Sequence, residues 1–370
     1  MLQPFDDHPV HQTPEPLATR GGGDRNFYDR YFFNGWAPDG SLFFGAALGL
    51  YPNRRVMDAA LSVVCDGVQH SLHASRLAPA DATRTDVGPL AVVVEEPLRR
   101  LRVRADSPEH GFAADLCFHA RTPALEEPRF RRDFAGRPLM DVTRLTQWGA
   151  WEGFLEAGGQ RHAVSRQRHR GCRDRSWGVR PVGEREAGAP GPPPQFFWLW
   201  APLHFDGFCT HFAVNEEADG RRWHASGSRV PLLAPGADPA SPAGVEPMAR
   251  VGHRVRWEPG TRRALGATLE LAPHAGEPLA VELEPLLTFP MSGLGYLHPE
   301  WGHGTWKGEL AVGAESVKLA ELAPLDPRAI HVQQLCRARL GPHQGTGVLE
   351  QLVIGPHAPS GFTGILDGAK

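Results

Sequence analysis

Apolar and polar residues alternate along much of this chain. Met57, Ala59, Leu61, Val63 and Cys65 form the clearest run. A period of two puts these side chains on one face, so residues 57–65 predict a half-buried strand. Asp66-Gly67 is a tight-turn dipeptide, and residues 68–75 would return as the second arm of a hairpin. Strand-like pieces follow at 90–95, 98–104 and 111–119. Residues 143–156 and 161–169 flank Gly158-Gly159 as another hairpin. Before the clear run, aromatics crowd residues 27–36, and Ser41–Tyr51 reads as a strand that can bend at Gly45 and Gly49.

The pattern breaks at 183–194, GEREAGAPGPPP, a linker or long surface loop by composition. It then starts again. Residues 196–200 (FFWLW) read as a buried strand, and 207–214 with 221–228 as a hairpin around Asp219-Gly220. Residues 233–247 form a proline-rich excursion. Alternation returns at Leu265, Ala267, Leu269 and Leu271, then at Leu279, Val281 and Leu283. Later strands are predicted at 304–312, 316–322, 330–340 and 347–354.

No convincing amphipathic helix of about twelve or more residues is visible. The 42 glycines and 35 prolines punctuate short apolar runs, as in a β-rich fold with many turns. The simplest all-β architecture is two antiparallel β-barrels or sandwiches in tandem. A tail at 1–24 would precede a barrel at 25–182, the linker at 183–194 and a second barrel at 195–370. No short-period repeat suggests a propeller or solenoid.

Charge and composition narrow the partners. A formal charge of −3 gives no global reason to expect nucleic acid or an anionic membrane surface. No stretch is long and apolar enough to cross a membrane as a helix. The first residues lack a basic segment followed by an apolar one. The five cysteines are scattered and odd in number, which fits reduced thiols in a cytoplasmic protein. Oligomeric state is not legible. Phosphate-loop, dinucleotide and nucleophile-elbow motifs are missing, so no cofactor is expected. Metal is not expected either, because the histidines lack a ligand-like spacing.

Two stretches concentrate chemistry. Residues 170–181, RGCRDRSWGVRP, gather Arg170, Arg173, Arg175 and Arg180 around Asp174, beside Trp177. Such a stretch is either a structural ion-pair knot or a site that holds an acid in a shaped pocket. An arginine-paired Asp174 would stay ionised and serve as a base or a strut; a carboxyl buried without partners would donate a proton. Residues 293–308, GLGYLHPEWGHGTWKG, carry Tyr296, His298, Glu300, Trp301, His303 and Trp306 among glycines. This composition suits a loop at a barrel mouth, or a rigid β-corner. His204 and His211 flank a strand, where a lone histidine is most simply a satisfied structural group.

Several of these segments together resemble one family. They are Tyr51-Pro52-Asn53-Arg54-Arg55, Gly171 to Arg180, His298-Pro299-Glu300-Trp301-Gly302-His303-Gly304 and Gly347-Val348-Leu349-Glu350. The combination is similar to the bacterial hydroxyneurosporene-synthase-like, or carotenoid-hydratase-like, proteins over about residues 25 to 367. The resemblance implies two lipocalin-like β-barrels in tandem. The wider superfamily includes tocopherol-cyclase relatives and lipocalin-like Diels–Alderases, which act on bulky apolar molecules without a redox cofactor.

The leading expectation is therefore a cofactor-independent lyase or isomerase: a hydratase, dehydratase or cyclase. Its substrate would be an apolar terpenoid, polyketide or aromatic molecule in a β-barrel cavity, within a barrel or between the two. Asp174, His298, His303 and Glu300 are the candidate catalytic residues. Trp177, Tyr296, Trp301, Trp306 and His204 would line the substrate, with indole faces able to stabilise a developing cation. Arg173, Arg175 and Arg180 would form structural ion pairs. Two other readings stay open: a non-catalytic carrier for an apolar metabolite, and a metal-dependent enzyme using His298 and His303.

Overall fold

The structure is a computed structural model that describes residues 23–81, 83–184, 188 and 191–370. Most of the expected tail and part of the expected linker lie outside these residues. The first half contains β1 (Phe27–Trp36), β2 (Phe43–Tyr51), β3 (Val56–Cys65), β4 (Val68–Leu77), β5 (Asp86–Val87), β6 (Leu90–Glu96), β7 (Arg100–Ser107), β8 (Phe112–Ala120), β9 (Leu125–Glu126), β10 (Phe130–Phe134), β11 (Arg137–Ala157), β12 (Gln160–Val164) and β13 (Arg170–Val179). The second contains β14 (Phe196–Trp200), β15 (Leu203–Phe205), β16 (Phe208–Glu216), β17 (Arg222–Pro231), β18 (Glu246–Trp257), β19 (Ala264–Pro273), β20 (Leu279–Pro290), β21 (Leu310–Lys318), β22 (His331–Leu340) and β23 (His343–Ile354).

These strands make two barrel-like antiparallel sheets, as the alternation predicts. The first runs β21-β4-β3-β2-β1-β13-β11-β8-β7-β6-β5, with β9, β10 and β12 also paired to β11. In the second, β14–β23 and β16–β17 pairings close the path into a barrel. No helix among the described residues is long and apolar enough to cross a membrane.

Strand alternation sorts most of the core into three large bodies, beside a small fourth cluster of Leu125, Trp148, Cys209 and Val230. Met57, Ala59, Leu61, Val63 and Cys65 of β3 all point into the first barrel, with Phe33, Phe44 and Trp151. Phe197, Leu199, Leu269 and Val281 fill the second. The opposite faces of the same strands make a third core between the barrels: Phe32 and Trp36 of β1, Val56, Ala60 and Val64 of β3, and Trp198 and Trp200 of β14. Burying both faces of these strands welds the two sheets through apolar contact.

Four details depart from the pattern. Leu265 is exposed, because a β-bulge opposite Arg256-Trp257 leaves it without a partner and turns it out of the alternation. The second arm expected at 161–169 is short: β12 ends at Val164, and a turn follows. The excursion at 233–247 gives way to β18, a strand the prolines obscured. Most consequentially, the strands expected at 304–312 and 316–322 are one strand, β21. It pairs with β4 of the first sheet from Leu310–Arg76 to Lys318–Val68. Residues 291–318, expected in the second barrel, thus reach back and clasp the first.

The clasp has a local cause. A short 3-10 turn at Met291–Leu294 packs on β3 and β4. A Cβ on Gly293 would lie 2.4 Å from both Ser62 Oγ and Gln69 Nε2, so only glycine allows this approach. Further along, the Gly304 amide donates to Asp58 Oδ2 at 2.7 Å.

Candidate active site

A cavity of about 450 Å³ lies between the two barrels. The barrel interiors are filled by side chains, and of the two placements expected, within a barrel or between them, this cavity is of the second kind. Its apolar wall includes Phe130, Leu139, Val142, Trp198 and Leu352. Its polar groups are Asp174, Arg144, Arg180, Tyr28, Tyr296, His331 and Glu350, with Ser176, Asn215, Arg132 and Gln195 beside them.

The expected arginine knot around Asp174 does not form. In β13 successive side chains take opposite faces. Arg173 and Arg175 therefore point away from Asp174, over Phe118 and Tyr31 of the first barrel. Arg173 donates to Gln147 Oε1 at 3.0 Å, and Arg175 pairs with Asp29. Arg180 sits over the rings of Tyr28 and Tyr296, at 4.5 and 5.6 Å from their centroids. Among the described residues, no hydrogen bond or ion pair holds the Asp174 carboxyl. Burial pushes it up to about 6, against the pull of Arg144. Its remaining accessible surface faces the cavity.

Arg144 is already committed. Its Nε and Nη2 donate to the two oxygens of Glu127 at 2.9 and 2.5 Å. Thr146 Oγ1 also donates to Glu127, and His211 Nε2 lies 3.3 Å away. Burial would raise the Glu127 carboxyl, but Arg144 and His211 outweigh it and hold it well below the usual range. The same guanidinium lies over Phe130 and Trp198, at 4.6 and 4.9 Å, and 5.4 Å from Trp200. The aromatic wall thus already serves a fixed cation.

On the other wall, Glu350 accepts from His331 Nε2 at 2.7 Å, Gln333 Nε2 at 2.8 Å and Trp198 Nε1 at 3.2 Å. Burial favours its neutral form, yet these donors keep the carboxyl below its ordinary value. A carboxylate at His331 Nε2 places the ring proton there and leaves Nδ1 as the lone-pair nitrogen. Nδ1 is buried and has no hydrogen-bond partner among the described residues. Asn215 Oδ1, on another cavity residue, is also unsatisfied. Such orphaned atoms suit a polar ligand or water. The site therefore holds a protonatable carboxyl, an oriented histidine and two fixed guanidiniums.

The second predicted cluster is dispersed by the clasp. Tyr296 reaches the cavity, its ring edge-on to His303 and His331 at 4.3 and 4.6 Å between centroids. His303 lies behind it. Its Nε2 lies 2.9 Å from the Leu294 carbonyl, Arg30 Nη1 approaches both ring nitrogens, Nε2 at 2.5 Å and Nδ1 at 2.7 Å, and Arg180 lies 3.2 Å from Nδ1. Burial, then Arg30 and Arg180, drive its basicity far below the ordinary value. His303 is thus a neutral link that positions Arg180, and two guanidiniums make its surroundings hostile to a metal cation.

His298 faces away from this link. Its Nε2 meets Glu315 Oε1 at 3.1 Å, and His73 Nε2 lies 3.5 Å from the same oxygen. These three residues are close enough to hold a cation. However, His298 Nδ1 accepts the amides of Glu300 and Trp301 at 3.0 and 2.9 Å. That puts its proton on Nε2, the nitrogen a metal would need, whereas ligating histidines donate from the other nitrogen. The donor set reads as a His–Glu brace between β4, the clasp and β21.

The remaining predicted residues fall elsewhere. Trp177 and Trp306 are exposed at 38% and 47%. Glu300 is exposed, and Trp301 stacks on His73 at 5.5 Å. His204 is buried: Nε2 donates to the Gly171 carbonyl at 2.9 Å, and Nδ1 takes Arg121 at 3.0 Å. Cys172 is a core thiol, as its small size suggests. Sequence reasoning missed Arg144, Glu127 and His331 altogether. The register of the β22–β23 hairpin carried one usable signal, for it sets Gln333 opposite Glu350, with His331 two residues before Gln333 on the same face.

The family profile DUF8625, described as a family of unknown function, matches residues 2–363. The chain belongs to this family. No curated protein matches its sequence. Among solved structures, a Nitrosomonas europaea protein provisionally named AttH aligns at TM-score 0.54 and 12% identity, covering 88% of this chain and 92% of that one. Kievitone hydratase from Nectria haematococca aligns at 0.52 and 13%, covering 90% and 93%. CghA with Sch210972 aligns at 0.50 and 12%, covering 95% and 97%. At these identities the DUF8625 protein shares the neighbours' fold, and its chemistry must be argued from its own residues.

Proposed function

We propose that this protein is a hydratase, dehydratase or cyclase acting by acid–base chemistry on an apolar molecule held between its barrels. One observation carries the proposal: Asp174 faces the cavity unpaired, with its acidity shifted to about 6. A carboxyl tuned in this way can give up and recover a proton near neutral pH. His331, oriented by Glu350, is the complementary base through its free Nδ1.

The placement of Arg144 favours one substrate class. Its guanidinium lies over Phe130 and Trp198, where a carbocation would have to stand. Those aromatic faces are thus already taken by a guanidinium and are not open to a cationic intermediate. Arg144 and Arg180 instead suit negative charge that develops on oxygen. The substrate is accordingly an apolar molecule bearing a carbonyl or phenol, a polyketide or an aromatic, more than a hydrocarbon terpenoid. In hydration of a conjugated alkene, His331 Nδ1 would take a proton from the attacking water. Asp174 would then protonate the carbon that held negative charge; dehydration reverses the steps. The activity named for kievitone hydratase is compatible with this reading, and the carotenoid-hydratase resemblance agrees with it at the level of reaction type.

The test is incubation of the purified protein with conjugated enones, phenolic enones and polyenes in deuterated water. Deuterium should enter an oxygenated substrate, and Asp174→Asn should stop it. Binding without exchange or turnover across the panel would instead support a carrier, for which the apolar wall alone suffices.

A further inference from the structure

A second cleft, of about 650 Å³, lies at the other end of β13. Arg170 opens that strand, four residues before Asp174, or about 13 Å along an extended chain. We propose that this cleft is a separate binding site for a phosphorylated small molecule, held by Arg121, Arg166 and Arg170. None of these arginines has a carboxylate in ion-pair reach among the described residues. The other arginines of the cleft differ: Arg168 pairs with Asp39, and Arg337 with Glu284 at 2.7 Å.

The cluster is built, not merely exposed. Arg121 and Arg170 are half-buried and line both this cleft and an adjoining hollow that Arg166 completes. Arg121 is held at its backbone by the Trp148 carbonyl and the Leu233 amide, at 2.8 and 2.7 Å. His204 Nδ1 accepts from its Nη1, and the opposite ring nitrogen is fixed on Gly171. Arg170 is braced on the Arg166 carbonyl at 2.6 Å. Burial and the neighbouring Arg121 both act against the charge on Arg170. Asp206 is the one carboxylate lining the cleft without an ion-pair partner among the described residues, and it only partly offsets three guanidiniums. Like charges gathered this way are costly unless an anion joins them, and guanidinium forks match phosphate oxygens. The buried His204, predicted to line the substrate, finds its role here as the residue that positions Arg121.

Inorganic pyrophosphate, titrated calorimetrically into the full chain at low salt, tests the assignment, with citrate as a carboxylate counterpart. Pyrophosphate should bind more tightly than citrate, and binding should weaken as salt rises. Arg170→Ala and Arg121→Ala should each weaken it by about tenfold or more. Arg166→Glu, an exposed change that spares the fold, should do the same, while Asp174→Asn should bind like the parent. Absence of pyrophosphate binding, equal or tighter binding of citrate, or undiminished binding by folded arginine variants would overturn the proposal.

Discussion

Asp174 and Arg144 share a cavity, but they do not pair. Arg144 is held by both oxygens of Glu127, and Asp174 feels its charge only at a distance. This separation gives the two carboxyls opposite states: Glu127 is locked as an anion, and Asp174 is poised near neutrality. Divergence of neighbouring titratable groups is the pattern expected of an acid–base site.

Replacing the poised carboxyl should uncouple stability from activity. A carboxyl whose folded value is raised binds its proton more tightly in the native state. The stability it lends is full below about 3.8 and is lost as pH rises through about 6. Asp174→Asn removes that loss, so at pH 8 the variant should be more stable than the parent, by at most about 3 kcal/mol. The advantage should vanish near pH 4. Turnover should fall to background. Thermal melts at the two pH values, beside the deuterium assay, check both claims.

The same proton sets the pH profile. If Asp174 is the donor, kcat/KM for a hydrated substrate should decline above about pH 6 as the carboxyl ionises. A profile that stays flat from pH 5 to 8 would remove it from the proton-transfer step.

Glu127→Gln probes what keeps Arg144 away from Asp174. Glu127 is fully buried, and its loss strands a guanidinium that is 13% exposed. Breaking such a pair costs about 3–5 kcal/mol, so the melting temperature should drop. In the molecules that still fold, Arg144 is free to turn to Asp174. The alkaline limb of the activity profile should then move to lower pH.

Trp177→Ala should do almost nothing. The indole is 38% exposed and lies on the opposite strand face from Asp174. Stability should change by less than about 0.5 kcal/mol, and turnover should match the parent. A large loss of turnover would put the reacting cavity on the other side of β13.

How much of this was legible beforehand follows from the range of each interaction. Alternation is local, so β3 and its inward face could be read directly, as could the turn at Asp66-Gly67. Alternation also shows why the arginine knot was illusory: Arg173 and Arg175 cannot share a strand face with Asp174, however close they stand in sequence. The route of the clasp was not legible. Gly293 and Gly304 suggested a loop, but nothing local tells that loop to add β21 to the first sheet. The cavity was least accessible, because Glu127, Arg144 and Asp174 belong to the first half and His331 and Glu350 to the second, and the two sets meet only when the barrels dock. The resemblance marked Asp174 and Glu350, yet gave no hint that His331 joins them.

The central claim is that Asp174 is a protonatable cavity carboxyl, not an arginine-held strut. Carboxyl-carbon NMR of protein labelled at aspartate tests it most directly, with the Asp174 resonance assigned by its absence in Asp174→Asn. The account predicts a titration midpoint near 6. A midpoint at or below the ordinary 3.8 would mean an ion-paired Asp174 and would contradict it.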